Sequence, residues 1–351
     1  MNLLYDLFAS PEWHPFQMNL QRRTLTFGRL SRQAYVDSLF LGTELAERRG
    51  DDLYEFRLDD VLLAAAGVPS VMRPIHYILH TAFCCSTLLA RYFELLPECF
   101  VLKEPQLLAQ IGMISPESFA EWPEVFSVSI RLLSRTYRSD QLSVIKANVP
   151  TNILGQELLR HNPQATVIFM INPLRDFLLS ALKSRRRRGQ IRYWNHYTAI
   201  LAAQRIPELA AISPDELTDA QAVAYWWFVN HFLCHELCSG EYCSRVLMVD
   251  GRQLADCPTK ILPAVMALCR LPLDEGLLER LVTHPSIRKH AKDRTMFYDA
   301  ESRRQEMADL ELRYAKEADK AIAWAALRGL EHTSFEPFGQ LAYSKELLKK
   351  D

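Results

Sequence analysis

Glycine is scarce in this 351-residue chain, which contains only 12. That is about half of average usage, and it argues against a collagen-like chain, a linker-rich chain or a phosphate cradle built from glycines. The charges nearly cancel, with 41 Lys and Arg against 42 Asp and Glu. No global field would therefore draw the protein to nucleic acid or to an anionic membrane, and any attraction for an anion must be local.

The sequence has no run that approaches 18 uncharged apolar residues, and no basic segment precedes an apolar stretch at its N-terminus. These absences predict a soluble, cytoplasmic protein without a membrane span. Eight cysteines lie at irregular positions, and Cys84 is adjacent to Cys85. Such spacing favours free thiols in a reducing compartment over a disulfide framework.

The stretch from His76 to Arg91, HYILHTAFCCSTLLAR, predicts a strand, a short loop and a helix. A helix start has unpaired N–H groups and the positive end of the helix dipole, so a loop that leads into it can bind phosphate or sulfate. Ser86 is predicted as the N-cap, although an ordinary turn capped by a serine fits the same residues. The candidate anion-binding residues are Ala82, Phe83, Cys84, Cys85, Ser86 and Thr87. They lack the glycines and lysine of a Walker A motif, which disfavours an ordinary ATPase.

Four more β-prone runs follow, separated by helical patterns. They are Cys99–Leu102, Leu142–Lys146, Ala165–Ile171 and Arg245–Val249. Strands that alternate with helices predict an α/β fold with a parallel central sheet of about five strands between helical layers. The predicted parts are a helical extension at 1–70, an α/β core at 71–275 with a helical insertion at about 190–240, and a helical region at 276–351. In the extension, Ser31 is a possible N-cap to AYVDSLFLGTEL and Leu58–Ala66 has a helical pattern; Thr218–Ser239 is a long helical segment of the insertion.

Polar residues follow the carboxyl end of each of four predicted strands, where ligands of open α/β sheets bind. They are Ser86 with Thr87, Lys103 with Glu104, Lys146 with Asn148, and Arg175 with Ser180. Loops at that edge are polar in any case, so their position raises the prospect of a site without identifying its chemistry.

Two further clusters have simpler explanations. Arg185 to Arg188 precede Gly189 and are predicted to lie at a helix C-terminus, where arginine suits the dipole; an anion clamp is the alternative. His231, Cys234, His235 and Cys238 form i,i+4 pairs, but four ligands on so short a piece of helix do not easily form a tetrahedron. No metal site is predicted.

Together these residues resemble the sulfotransferase family, in particular a divergent bacterial-type member. The family's first motif, a loop such as P-K-S-G-T-T, matches 82–87 at Ser86 and Thr87, while Phe83 stands where the family has Lys or Arg. The second motif matches at Ser180, with Asn172 in place of its arginine, and Arg175 lies one turn further along the helix.

Two further segments extend the resemblance over about 73–273. IKANVP matches the family's K-T-H-L-P at Lys146 and Pro150, and Asn148 replaces its histidine. Some branches of the family take their base from a glutamate after the second strand, where Glu104 stands. RVLMVDGRQLADCPTKILPAVMALCRLPL is similar to a later family segment without its YED.

The resemblance implies a relative of the P-loop NTPase fold that uses 3'-phosphoadenosine 5'-phosphosulfate as sulfuryl donor and needs no metal. It implies that the loop 82–87 holds the 5'-phosphosulfate and that Arg175 and Ser180 hold the 3'-phosphate. Glu104 would take a proton from a hydroxyl or amine of a small-molecule or glycan acceptor. Lys146 would meet charge on the leaving oxygen.

Two alternatives stay open. A P-loop-type kinase or NTPase would use Asp250 as a Walker B aspartate on magnesium, and a catalytically silent relative would only bind a nucleotide or a partner protein. Should Glu104 or Arg175 lack these roles, the sequence offers substitutes. They are His80 and His196 as bases, and Arg288, Lys289 and Lys292 as cations. The acceptor and the oligomeric state do not follow from the sequence.

Overall fold

The structure is a computed structural model that describes residues 3–42, 45, 52–69, 73–289, 296–328 and 330. It divides into two compact units. The first comprises Met1–Leu79 and Ala90–Val167, and the second comprises His80–Leu89 and Ile168–Asp351.

The N-terminal part of the first unit contains a three-stranded antiparallel sheet in the order β1-β2-β3. Its strands are β1, Trp13–Asn19; β2, Thr24–Arg29; and β3, Leu53–Arg57. The prediction of a purely helical 1–70 is therefore wrong. β1 and β2 are buried along nearly their whole length. Pro15 interrupts the pattern of β1, and the alternation of polar and apolar residues in β2 covers only Thr24 to Phe27, so neither gives a long strand signal.

Two helices of that region begin where the sequence predicted, although the first ends at Asp37 and is shorter than its predicted pattern. Ser31 caps Arg32–Asp37, with its hydroxyl accepting from the Ala34 N–H at 3.1 Å. The helix Leu58–Ala66 occupies the predicted residues. A third helix, Leu3–Ala9, precedes β1.

A five-stranded parallel sheet forms the centre of the fold, as predicted. Its strands are β4, Ile75–His80; β5, Cys99–Lys103; β6, Leu142–Lys146; β7, Thr166–Ile171; and β8, Val246–Asp250. Every residue of β7 is buried, which explains its uncharged sequence.

The strand order is β5-β6-β4-β7-β8. The chain thus adds β5 and β6 on one side of β4, and β7 and β8 on the other. A reversal of this kind is a topological switch point, where open α/β sheets bind ligands beyond the carboxyl ends of the strands. The loop that follows β4 is 82–87, the predicted anion site.

The remaining helices connect and flank these strands. They are Ser86–Glu94, Gln106–Gly112, Trp122–Leu133, Gly155–His161, Leu174–Leu182, Arg185–Arg205, Pro207–Ala210, Asp219–Ser239, Gly251–Asp256, Pro258–Leu268, Glu275–Thr283 and Ala300–Leu327. Short 3-10 helices lie at Pro116–Ser118, Val149–Leu154, Pro214–Glu216, Cys243–Arg245 and Pro285–Arg288. None of the helices described combines the length and the apolar character needed to cross a membrane. Parts of the predicted C-terminal region (290–295, 329 and 331–351), including Lys292, lie outside the described residues.

Candidate functional site

The loop after β4 has an unusual backbone. Ala82, Phe83 and Cys85 adopt left-handed φ values of 75°, 52° and 60°, a region that costs a non-glycine residue about 1–2 kcal/mol. Three such residues within four positions persist only where the surroundings hold them, and backbone strain of this kind clusters at functional sites. The loop thus forms a tight turn although residues 82–87 contain no glycine.

Most of the loop's donors lack an acceptor in the part of the chain that the structure describes. Among the described residues, no acceptor faces the N–H groups of Phe83, Cys85, Ser86 and Thr87, and none bonds the hydroxyls of Ser86 and Thr87. The helix begins at Ser86 itself, so Cys85 takes the cap position predicted for Ser86. Successive free N–H groups at a helix start form a concave site for an anion.

Hydrogen bonds within the second unit hold the loop in its conformation. The Thr81 N–H and the Cys84 thiol both donate to the Met170 carbonyl, at 3.1 and 3.3 Å. The amide of Asn172 donates to the Phe83 carbonyl at 3.0 Å. Asn172, which the sequence comparison placed where the family has an arginine, therefore helps to hold the loop in its conformation.

Gly251 packs directly against the loop. A Cβ on this glycine would lie 2.0 Å from the Cys84 carbonyl oxygen and 2.9 Å from Oδ1 of Asn172. Real Cβ atoms do not come so close to backbone oxygens, so this position requires glycine. The close approach is a second constraint on the same turn.

Arg187 supplies a cation close to the loop. Its guanidinium lies over the Phe83 ring, 4.5 Å from the centroid, and Nη1 donates to the Ser180 carbonyl at 2.6 Å. Phe83 also stacks on Phe177, whose ring is 6.0 Å from that of Phe83 at an interplanar angle of 30°. Burial lowers the pKa of Arg187, but an arginine stays charged at physiological pH.

A second cation, Arg303, comes from the helix Ala300–Leu327. Its Nη1 donates to the Gly251 carbonyl at 3.4 Å. Burial raises the pKa of the Cys85 thiol, while Arg303 opposes that shift electrostatically. Sequence analysis gave Arg303 no role because nothing in its local pattern distinguishes it from a basic residue on a solvated helix face.

The Arg185–Arg188 run lies at the start of a helix, Arg185–Arg205, and not at a helix C-terminus as predicted. The preceding helix already ends at Leu182, and Gly189 lies inside the next one, with no atom within 4 Å of where its Cβ would be. Arg188 and Arg192 both bind Asp219, each at 2.8 Å. These ion pairs stabilise a helix start that arginine would otherwise disfavour.

The two residues predicted to hold the 3'-phosphate lie on the helix Leu174–Leu182. Arg175 binds Glu311 and Asp319 of the helix Ala300–Leu327, the latter at 2.7 Å. The Ser180 hydroxyl lies 3.7 Å from the sulfur of Met307. An anion at Arg175 would therefore compete with two carboxylates that are themselves largely exposed.

Glu104 and Lys146 form an ion pair in the first unit. Lys146 is buried, with 3% of its side chain exposed, against 21% for Glu104. Glu104 ends its strand with a left-handed φ of 53°, and its carbonyl accepts from the Asn148 amide at 3.2 Å. The two residues predicted to be catalytic thus lie in contact, as do Lys103 and Glu94, at 2.5 Å.

Asp250 caps a helix. Its Oδ1 accepts from the N–H groups of Arg252 and Gln253, at 2.7 and 3.4 Å, and Oδ2 lies 3.8 Å from Arg252. A carboxylate engaged in this way is less suited to bind magnesium, which weakens the kinase alternative.

The His231–Cys238 cluster forms part of the core. His231 stacks on Trp227 at 4.5 Å, and burial lowers its pKa to about 3, with His235 adding to the shift. Cys234 is buried, and its thiol interacts with that of Cys238. Within the described residues, no group of three or more histidine, cysteine or acidic side chains could hold a metal ion.

No protein-family model matches the sequence, and no curated protein matches it either. Among solved structures, the chain is similar to sulfotransferases. The sulfotransferase STF1 of Mycobacterium tuberculosis is 13% identical, with 74% of this chain and 82% of that chain covered, at a TM-score of 0.41. The sulfotransferase domain of the curacin biosynthetic pathway is 10% identical, with 73% of this chain and 99% of that chain covered, at a TM-score of 0.40. A sulfotransferase of Alicyclobacillus acidocaldarius is 14% identical, with 60% of this chain and 90% of that chain covered, at a TM-score of 0.38. Values this low carry no argument about activity, which has to rest on the residues of this chain.

Proposed function

We propose that this protein is a sulfotransferase that moves a sulfuryl group from 3'-phosphoadenosine 5'-phosphosulfate to a hydroxyl or amine of a small-molecule or glycan acceptor. The observation that carries the proposal is the loop 82–87. It combines left-handed residues, free N–H groups and the free hydroxyls of Ser86 and Thr87 at a helix start. This arrangement suits the 5'-phosphosulfate of the donor.

In the proposed reaction, the acceptor oxygen or nitrogen attacks sulfur, and the bond from sulfur to the 5'-phosphate oxygen breaks. The acceptor proton passes to the Glu104 carboxylate, and the negative charge that develops on the departing nucleotide needs donors and cations. The loop and Lys146 take those roles, while Arg175 and Ser180 hold the 3'-phosphate. The assignments for Glu104, Lys146, Arg175 and Ser180 are predictions from the resemblance.

Calorimetric titration with 3'-phosphoadenosine 5'-phosphate, the nucleotide product, tests the proposal. We expect this ligand to bind more tightly than adenosine 5'-phosphate, and ATP with magnesium to bind less well. Replacing Ser86 and Thr87 together by alanine should weaken binding by about 1–3 kcal/mol, the value of hydrogen bonds to a charged group. Ser239→Ala is the control, because that hydroxyl bonds only its own helix, at the His235 carbonyl. An unchanged affinity in the double variant would remove the loop from the site.

The ion pair of Glu104 with Lys146 supports a second candidate, a nucleotide-binding protein without transferase activity. The Glu104 carboxylate already has the buried Lys146 ammonium as its partner, so a structural role accounts for both residues without a reaction. The two candidates differ in turnover. A sulfotransferase releases the nucleotide product from the donor only when an acceptor is present, and Glu104→Gln should lower that rate by about two to four orders of magnitude. A binding protein would hold the nucleotide and release none.

A further inference from the structure

We propose that Arg187 is the principal cation of the anion site at the loop 82–87, and that it reaches the site from another element of the fold. The inference rests on the anion-binding loop of the proposed function. It adds a residue that neither the resemblance nor the loop sequence assigns to that site.

The loop itself supplies no positive charge. None of the residues 82–87 is lysine or arginine, so the loop alone offers a bound anion only N–H groups and two hydroxyls. Pyrophosphate or phosphosulfate carries more than one negative charge, and charge-assisted hydrogen bonds to such groups are markedly stronger than neutral ones. A site for these anions therefore calls for a cation from elsewhere.

The Phe83 ring fixes where Arg187 lies. Phe83 is in the middle of the loop, and its ring contacts both Phe177 and the Arg187 guanidinium. A guanidinium over a ring face is attracted to the aromatic quadrupole. Phe83 is therefore well suited to hold Arg187 beside the loop.

Arg187 also has donors to spare. A guanidinium has five N–H donors, and within the described part of the chain the only hydrogen bond that Arg187 makes is to the Ser180 carbonyl. No carboxylate there forms an ion pair with it. Arg135 differs, because its guanidinium donates hydrogen bonds to four backbone carbonyls, those of Leu7, Ser10, Trp13 and Leu132.

Arg187 bonds a carbonyl at the end of the preceding helix, at Ser180, but the dipole of its own helix does not favour an arginine at this position. Arg187 lies in the first turn of a 21-residue helix, where the dipole disfavours positive charge. Its neighbour Arg188 forms an ion pair with Asp219, whereas Arg187 has only the more distant charge of Glu306 among the described residues. This half-buried cation over the Phe83 ring therefore keeps positive charge that an anion on the loop would balance.

Isothermal titration with inorganic pyrophosphate tests the proposal without assuming a nucleotide. Arg187→Gln should lower the affinity about tenfold or more, the effect of losing a charge-assisted hydrogen bond, and should flatten the dependence of affinity on salt. Arg186→Gln, an exposed residue of the same turn, should change affinity less than about twofold, as expected of an exposed charge. Arg303→Gln should have a smaller effect than Arg187→Gln. Thermal unfolding of each variant checks that it is folded.

Moving the charge separates electrostatics from packing. In the Arg187→Gln background, Phe83→Lys places an ammonium on the loop and should recover most of the lost affinity, whereas Phe83→Leu should recover none. Wild-type affinity in Arg187→Gln, a larger loss in Arg303→Gln, failure of the lysine to rescue, or no binding of pyrophosphate by the wild type would each overturn the proposal.

The outcomes also separate this inference from the proposed function. If pyrophosphate binding depends on Arg187 but the 3'-phosphorylated nucleotide is not preferred over adenosine 5'-phosphate, the sulfotransferase proposal fails and the role of Arg187 stands. If the 3'-phosphorylated nucleotide is preferred and Arg187→Gln binds both ligands like the wild type, only the role of Arg187 fails.

Discussion

Two charged regions of this molecule differ in how their charges are balanced. At the carboxyl ends of β5 and β6, two buried lysines each have a carboxylate partner, Lys103 with Glu94 and Lys146 with Glu104. Around the loop 82–87, neither Arg187 nor Arg303 forms an ion pair with a carboxylate of the described residues, although Glu306 and Asp176 act on them electrostatically from further away.

The two regions therefore differ in whether their charges are balanced without a ligand. A buried ammonium paired with a carboxylate is neutral as a unit and complete without a ligand. Cations beside unfilled N–H groups are incomplete and favour an incoming anion. The geometry therefore supports donor binding at the loop better than it supports proton transfer at Glu104, whose carboxylate must part from Lys146 before it can act.

The largest expected effect is a loss of stability when one partner of the Glu104–Lys146 ion pair is removed. Glu104→Gln leaves the Lys146 ammonium buried without a carboxylate, and loss of one partner of a buried pair costs about 3–5 kcal/mol. Urea unfolding measures the change in the free energy of unfolding. Lys146→Met in the same chain removes the stranded charge, so the double variant should regain most of the loss. A single variant as stable as the wild type would show that the pair contributes little to the first unit.

A smaller effect is expected from distorting the loop. Gly251→Ala forces a Cβ against the Cys84 carbonyl, and overpacking of this kind costs about 1–3 kcal/mol. Because the loop must shift, pyrophosphate affinity should fall as well. Gly189→Ala is the matched control, since it lies inside a helix with open space around it and should stabilise the protein by about 0.5–1 kcal/mol. If Gly251→Ala kept full affinity, the left-handed loop would not be the anion site.

The smallest effect tests whether the stability of the two units depends on pH in the same way. Each buries a neutral histidine, and burial lowers the pKa of His14 in the first unit, and of His231 in the second, to about 3. Between an unfolded pKa of about 6.5 and that value, the unfolded chain binds a proton that the folded chain does not. The stability contribution is thus present above pH 6.5 and is lost as the pH falls.

At pH 5 each histidine should account for about 2 kcal/mol of lost stability. Urea unfolding at pH 7 and pH 5 measures this loss in the wild type, in His14→Phe and in His231→Phe. Each substitution should reduce the acid sensitivity by a similar amount. A reduction in only one variant would mean that the units also differ in how they respond to acid.

Several parts of the fold followed from local sequence. The uncharged run at β7 predicted a central strand, and Ser31 and Thr218 predicted helix starts that the structure confirms with cap hydrogen bonds. The sheet of β1, β2 and β3 was missed because Pro15 interrupts the pattern of β1 and the alternation in β2 covers only Thr24 to Phe27. The Arg185–Arg188 run was assigned to the wrong helix end because Gly189 suggested a stop, whereas Asp219, far along the chain, stabilises a start.

The sequence by itself determined the order of strands and helices around the five-stranded sheet and the placement of polar residues after its strands, because strand propensity and caps act over a few neighbouring residues. The tertiary structure alone decided that Glu104 binds Lys146, that Arg187 lies over Phe83, and that Ala82, Phe83 and Cys85 adopt left-handed conformations. The first two are contacts between residues distant in the chain, and the third is a strained backbone held by Asn172, Met170 and Gly251. Such contacts have no local signal in the sequence, since their energy depends on which residues the sheet brings together.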